Sequence, residues 1–225
     1  MSLRADRCLV MFAKFPEQGQ VKSRLAKDLG AEAATNLYRC FVEDLSERFS
    51  KGAYRLYIAF YPAEKECEMR KMLGDGCSYI PQTGEGLGER MKLAFLRCFS
   101  DGTRSVVLIG SDIPDLPAWI VAEAFQALDK YGAVIGPSVD GGYYLIGFRE
   151  DTFCKDVFAA LPWGAEMVFQ ETMNILRTAG APVYVLPAWR DIDKLEDIAA
   201  LIKNSEDTGF AHSKTMLYLK AKDLT

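Results

Sequence analysis

Short apolar runs alternate with longer amphipathic ones along this chain. Cys8–Ala13, Tyr54–Phe60, Ser105–Gly110, Ala133–Pro137, Tyr143–Phe148 and Pro182–Leu186 read as strands, with a shorter one at Ser78–Pro81. Most are continuously apolar, as expected when both faces of a strand are buried. Helical periodicity fills the intervals. In Ala31–Ser50 the residues Ala34, Leu37, Tyr38, Phe41, Val42 and Leu45 fall on one helical face, and Gly52 ends the pattern. Further helices are predicted over Glu64–Leu73, Leu87–Phe99, Ala118–Tyr131, Ala165–Ala179, Lys194–Lys203 and Ser213–Lys222. Lys14 to Arg24 reads as a polar loop, and Asp140-Gly141-Gly142 as a hairpin turn. Strands alternating with helices predict a three-layer α/β/α sandwich with a mostly parallel sheet. No repeat, low-complexity tract or linker interrupts the pattern, so one domain over residues 1–225 is expected.

Composition narrows the chemistry. The 225 residues are 49% hydrophobic and 26% charged, with a net charge of −4. A dedicated nucleic-acid binder would carry a basic balance instead. No apolar run approaches a membrane span, and the N-terminal run is too short for an export signal, so a soluble, cytoplasmic protein with no membrane partner is expected. Six cysteines include no Cys-x-x-Cys pair, which argues against a disulfide framework. The one histidine, His212, excludes a histidine-rich zinc site. A catalytic metal here would rest on carboxylates, which favours Mg²⁺ or Mn²⁺.

Three polar segments follow strands, where open parallel sheets bind ligands. The first carries Lys14, Gly19, Lys22 and Arg24. Glycine lets backbone approach phosphate closely, and the cations suit phosphate oxygens; the alternative is a solvated loop. It is neither a Walker A loop nor a Rossmann fingerprint. The second, Gly110-Ser111-Asp112-Ile113-Pro114-Asp115, places Asp112 where a carboxylate can hold Mg²⁺ against donor phosphates. Asp115 reads as a helix cap. The third runs from Arg190 to Asp197. Asp193 and Glu196 are spaced as a capping box, while Asp191 or Asp193 could instead complete a metal site with Asp112. Two weaker candidates remain. Gly84 to Arg90, with Gly86 and Arg90, reads as a lid, a nucleotide contact or a plain turn. Asp140, Gly141, Gly142 and Tyr143, with Tyr144 and Trp163, could line a substrate pocket or simply pack.

Several of these segments occur together in one order: Phe12-Ala13-Lys14-Phe15-Pro16-Glu17-Gln18-Gly19, Val21-Lys22-Ser23-Arg24-Leu25, Leu29-Gly30-Ala31-Glu32-Ala33-Ala34, Gly84 to Met91, Ile109 to Pro117, Asp140 to Gly147, Pro162-Trp163 and Asp191-Ile192-Asp193. The combination resembles a bacterial family of A-type nucleotide-diphospho-sugar transferase-like proteins, some labelled glycosyltransferases or radical-SAM/selenodomain-associated transferases. The resemblance implies the nucleotide-diphospho-sugar transferase fold, a nucleotide-activated donor and a small-molecule acceptor. It also implies Lys22 and Arg24 on the donor phosphates and Asp112 and Asp193 on the metal. Glycosyl transfer is the leading activity. The alternatives are nucleotidyl transfer from a nucleoside triphosphate with release of pyrophosphate, or an inactive nucleotide-binding module. Two departures stand out. Gly164-Ala165 replaces the family's usual Ser-Thr, and Lys194-Leu195 its common Thr-Pro.

Overall fold

The computed structural model describes residues 6–159, 161, 167–206 and 208–224. Its strands are β1 (Arg7–Lys14), β2 (Arg55–Tyr61), β3 (Ser78–Pro81), β4 (Ser105–Ile109), β5 (Ala133–Pro137), β6 (Tyr143–Arg149) and β7 (Val183–Val185). They form one sheet of order β3-β2-β1-β4-β6-β5-β7. The helices are α1 (Ser23–Leu29), α2 (Ala31–Phe49), α3 (Glu66–Leu73), α4 (Gly86–Ser100), α5 (Ala118–Leu128), α6 (Val168–Thr178), α7 (Leu195–Ser205) and α8 (Lys214–Ala221).

The strand alternation of β1 shows why three layers form. Leu9, Met11 and Ala13 enter a core shared with α1, α2, α5, α7 and α8. Cys8, Val10 and Phe12 enter a second core under α4 and α6. A central strand with both faces covered must be apolar throughout, as this one is. The predicted stripe of α2, from Ala34 to Leu45, is buried against the first core.

Only β6 runs against its neighbours, antiparallel to both β4 and β5. The cause is the turn at Asp140. Ser138 N–H donates to the Gly142 carbonyl at 2.9 Å, Asp140 Oδ1 accepts the Gly142 N–H at 3.1 Å, and Gly141 takes φ 91°. That positive φ is readily available to glycine. Close packing follows behind it. A Cβ on Gly136 would lie 2.4 Å from the Tyr144 ring, whose hydroxyl donates to the Pro187 carbonyl at 3.0 Å.

Three local expectations differ from the structure. The polar stretch ending at Arg24 was expected to be all loop, but Ser23 already begins α1, which buries Leu25 completely. Asp115 does not cap α5, whose N-cap is Pro117; its Oδ1 instead accepts the Trp189 indole N–H at 2.9 Å. The acid that caps α7 is Asp197 rather than Glu196. Its Oδ2 accepts the backbone N–H groups of Lys194 at 2.9 Å and Asp193 at 3.1 Å. The helix predicted from Ala165 is described from Val168 onward, and Trp163, Gly164 and Ala165 lie outside the described residues.

Candidate functional site

The chain order makes β1 and β4 a switch point: β2 and β3 are added on one side of β1, then β4 on the other. Loops leaving such a pair diverge and open a crevice at the strand ends. There the structure has a cavity of about 550 Å³. Lys14, Lys22 and Arg24 come to it from beyond β1, Asp112 from beyond β4, Asp140 from the hairpin, and Asp191 and Asp193 from the segment after β7.

Lys22 is the pivot. Its backbone is left-handed, with φ 50° and ψ 44°, an uncommon conformation for a residue with a Cβ. From there its side chain, only 3% exposed, reaches inward. Nζ lies 2.6 Å from Asp112 Oδ1, 2.9 Å from Asp193 Oδ1 and 2.8 Å from the Ile192 carbonyl. All three ammonium donors are thereby directed at protein acceptors. Burial works against the charge, but the two carboxylates outweigh it and hold the pKa above the usual lysine value. Ile192 N–H donates to the Asp112 carbonyl at 2.8 Å, tying the two acidic loops together. Tyr38 of α2 supports the floor. Its buried oxygen accepts the Lys14 N–H at 3.0 Å and shares a hydrogen bond with Ser111 Oγ at 2.8 Å.

The remaining charges differ in freedom. Arg24 is 64% exposed and 3.7 Å from Asp193 Oδ2. Lys14 is exposed at the end of β1. Asp191 accepts a hydrogen bond from Ser138 Oγ. Its burial pushes its carboxyl up to about 7; Asp112 and Asp140 add to the rise, while Ser138 and Lys22 oppose it.

A smaller compartment of about 220 Å³ opens beside the first. Phe12, Leu87, Met91, Leu108 and Val168 give it apolar walls, Tyr143 and Tyr144 line it, and Asp140 and Asp191 are shared with the larger space. Thus Asp140, Gly142 and Tyr143 meet in one subsite. Gly19, Gly86, Arg90 and Gly141 do not line either compartment. Gly19 instead shapes a turn at φ 79°. The Arg90 guanidinium lies 4.2 Å from the centre of the Tyr61 ring and donates to the Gly84 carbonyl at 3.2 Å. Sequence reasoning missed Tyr38, Gln82 and Ser138. Gln82 directly follows β3 and Ser138 directly follows β5, and a position just beyond a strand was the available signal.

Among the described residues no group of three or more His, Cys, Asp or Glu side chains is arranged to hold a metal. A pair is. Asp112 and Asp193 already converge on one cation, the Lys22 ammonium. Two hard oxygen ligands completed by substrate phosphates are a common Mg²⁺ arrangement, so the donor set fits.

Among solved structures, one from Desulfovibrio desulfuricans G20, provisionally named a nucleotide-diphospho-sugar transferase, is 41% identical, with a TM-score of 0.94 over 99% of this chain and 96% of that one. Two more distant structures share the fold. A CMP:2-keto-3-deoxy-manno-octonic acid synthetase complexed with CTP is 12% identical, with a TM-score of 0.54 over 88% of this chain and 99% of that one. Rv0371c of Mycobacterium tuberculosis H37Rv, in complex with manganese, is 15% identical, with a TM-score of 0.53 over 88% and 97%. A search of curated proteins returns no match. The fold is therefore that of nucleotide-diphospho-sugar transferases, in the three-layer, mostly parallel form expected. Residues 45–165 match the model of a family described as uncharacterized proteins conserved in bacteria, DUF2064, and the chain belongs to that family.

Proposed function

We propose that this chain is a divalent-metal-dependent transferase that takes a glycosyl group from a nucleotide-diphospho-sugar. The observation that carries the proposal is the buried Lys22 ammonium held by Asp112 and Asp193 at the switch point. Two carboxylates and three cations around one crevice suit a metal-bound diphosphate. Asp112 and Asp193 would hold Mg²⁺ or Mn²⁺, which would polarise the phosphates and offset their charge. Arg24 and Lys14, exposed at the rim, would meet phosphate oxygens first. Lys22 would join them when a metal takes over its carboxylate partners. Two structures that share the fold are consistent with this reading: one has CTP bound, in line with a nucleotide donor, and another manganese, in line with a divalent metal.

Nucleotidyl transfer is the second reading, favoured by the fold shared with the CTP-bound synthetase. Product analysis separates the two. A panel of nucleotide-sugars and nucleoside triphosphates is incubated with Mg²⁺ or with EDTA. Release of nucleoside diphosphate in Mg²⁺ alone supports glycosyl transfer. Pyrophosphate release from triphosphates, with no turnover of nucleotide-sugars, overturns it.

A further inference from the structure

The two compartments of the crevice differ in charge, and the difference restricts the acceptor. The larger one holds Lys14, Lys22 and Arg24. No lysine, arginine or histidine lines the smaller one among the described residues. Among the described residues, the only charge-bearing side chains of the smaller compartment are Asp140 and Asp191, set among apolar and tyrosine walls.

We infer that the acceptor is a small, apolar-bodied alcohol or amine, neutral or positively charged, and not a phosphate or carboxylate. An anionic acceptor would lose its hydration in this space and find no cationic partner among the described residues, which makes its burial unfavourable. It would also face Asp140. Protonation of Asp191 leaves the conclusion unchanged, because neither of its forms supplies a positive charge. At about 220 Å³ the space is smaller than most ligand sites, so it admits one ring or a short chain rather than an oligosaccharide.

This inference rests on the proposed function and deepens it. Nucleotidyl transfer to a sugar acid or a phosphate needs an anionic acceptor molecule, which this compartment disfavours. Glycosyl transfer needs only a hydroxyl or amine. Its balance is simple. The acceptor oxygen or nitrogen bonds to the anomeric carbon. The bond from that carbon to the phosphate oxygen breaks, its electron pair stays on the nucleoside diphosphate, and the acceptor's proton leaves to solvent.

The test uses the full chain and four probes of one size: benzyl alcohol, benzylamine, benzoate and phenyl phosphate. Binding is followed by ligand-observed NMR with Mg²⁺ and saturating nucleoside diphosphate, so that the phosphate side is filled. The donor site is checked separately by the melting shift the nucleotide produces. Benzyl alcohol and benzylamine are expected to bind at least about tenfold tighter than the two anions. Asp140→Lys should narrow or reverse that ratio. Asp140→Asn, which keeps an acceptor for the Gly142 N–H, should weaken benzylamine selectively. Benzoate or phenyl phosphate binding as tightly as benzyl alcohol overturns the inference, as does an order unchanged in Asp140→Lys. A nucleotide shift with no binding of any probe overturns the acceptor inference alone. No nucleotide shift at all removes the donor reading and the inference with it.

Discussion

Two cavities share one wall and differ in what they can do. The segment from Ala188 to Asp193 separates the crevice described above from a larger space of about 940 Å³ beneath α5 and α7. Asp191 and Asp193 turn to the crevice, whereas Trp189, Arg190 and Ile192 line the larger space. In the larger space polar groups have local partners. Trp189 donates to Asp115, Arg190 pairs with Asp197 at 3.1 Å, and Arg48 donates to the carbonyls of Pro114 and Leu116 at 2.7 and 2.9 Å. In the crevice, by contrast, four carboxylates, Asp112, Asp140, Asp191 and Asp193, line one space, and two of them, Asp112 and Asp193, meet the buried Lys22 ammonium. Volume favours the larger cavity, whereas clustered charge at a topological switch point favours the crevice.

That contrast can be broken by mutation. The largest expected effect is on turnover. Asp112→Ala should lower metal-dependent kcat by about 10²–10³ or more, the scale of losing a preorganised charge partner. Trp119→Ala, on the larger cavity, should leave kcat within about twofold. Next comes Lys22→Met. Removing one member of a buried charge cluster costs about 3–5 kcal/mol when the partners are fully buried. Asp112 and Asp193 are 45% and 35% exposed, so a smaller loss of about 2 kcal/mol is expected by denaturant titration. The same variant should bind Mn²⁺ more tightly and nucleotide more weakly.

A smaller effect concerns pH in the metal-free protein. The folded pKa of Asp191, about 7, lies above its unfolded value, so the native state holds the extra proton between about pH 4 and 7. The stabilising contribution is full below pH 4, declines as pH rises, and is gone above about 7. Unfolding measured across this window in EDTA should show that decline, and Asp191→Asn should flatten it. Equal slopes in both proteins would refute the assignment. The smallest effect is that of Arg24→Ala, which should weaken nucleotide binding about tenfold by calorimetry yet alter stability by under about 0.5 kcal/mol, because the side chain is 64% exposed.

Much of this architecture was legible along the chain. Every predicted strand is present, because buried parallel strands leave continuous apolar runs, and β6 was foreshadowed by the turn chemistry of Asp140-Gly141-Gly142. The short helix α1 was not legible. It begins after a left-handed Lys22, which no propensity suggests, and only Leu25 among its residues is buried. Of the candidates in the three polar segments, Lys14, Lys22, Arg24, Asp112, Asp191 and Asp193 meet at one rim, and Gly19 does not. Their mutual engagement could not be read in advance, because the pairing of Lys22 with Asp193 spans 171 positions and depends on strand order. Helix caps failed for a similar reason. Asp115 was drawn to an indole 74 residues away rather than to its own helix. No signal linked the wall of the smaller compartment, where Phe12, Met91 and Val168 come from three separate elements.

The most direct test of the central claim is thermal unfolding with nucleotide-sugars, with and without Mg²⁺, in wild type and Asp112→Ala. A nucleotide at a hundred times its dissociation constant stabilises the protein by about 2.7 kcal/mol. The account predicts a shift in the wild type that requires Mg²⁺ and is lost in Asp112→Ala. A shift of equal size in EDTA, or one retained in Asp112→Ala, would contradict it.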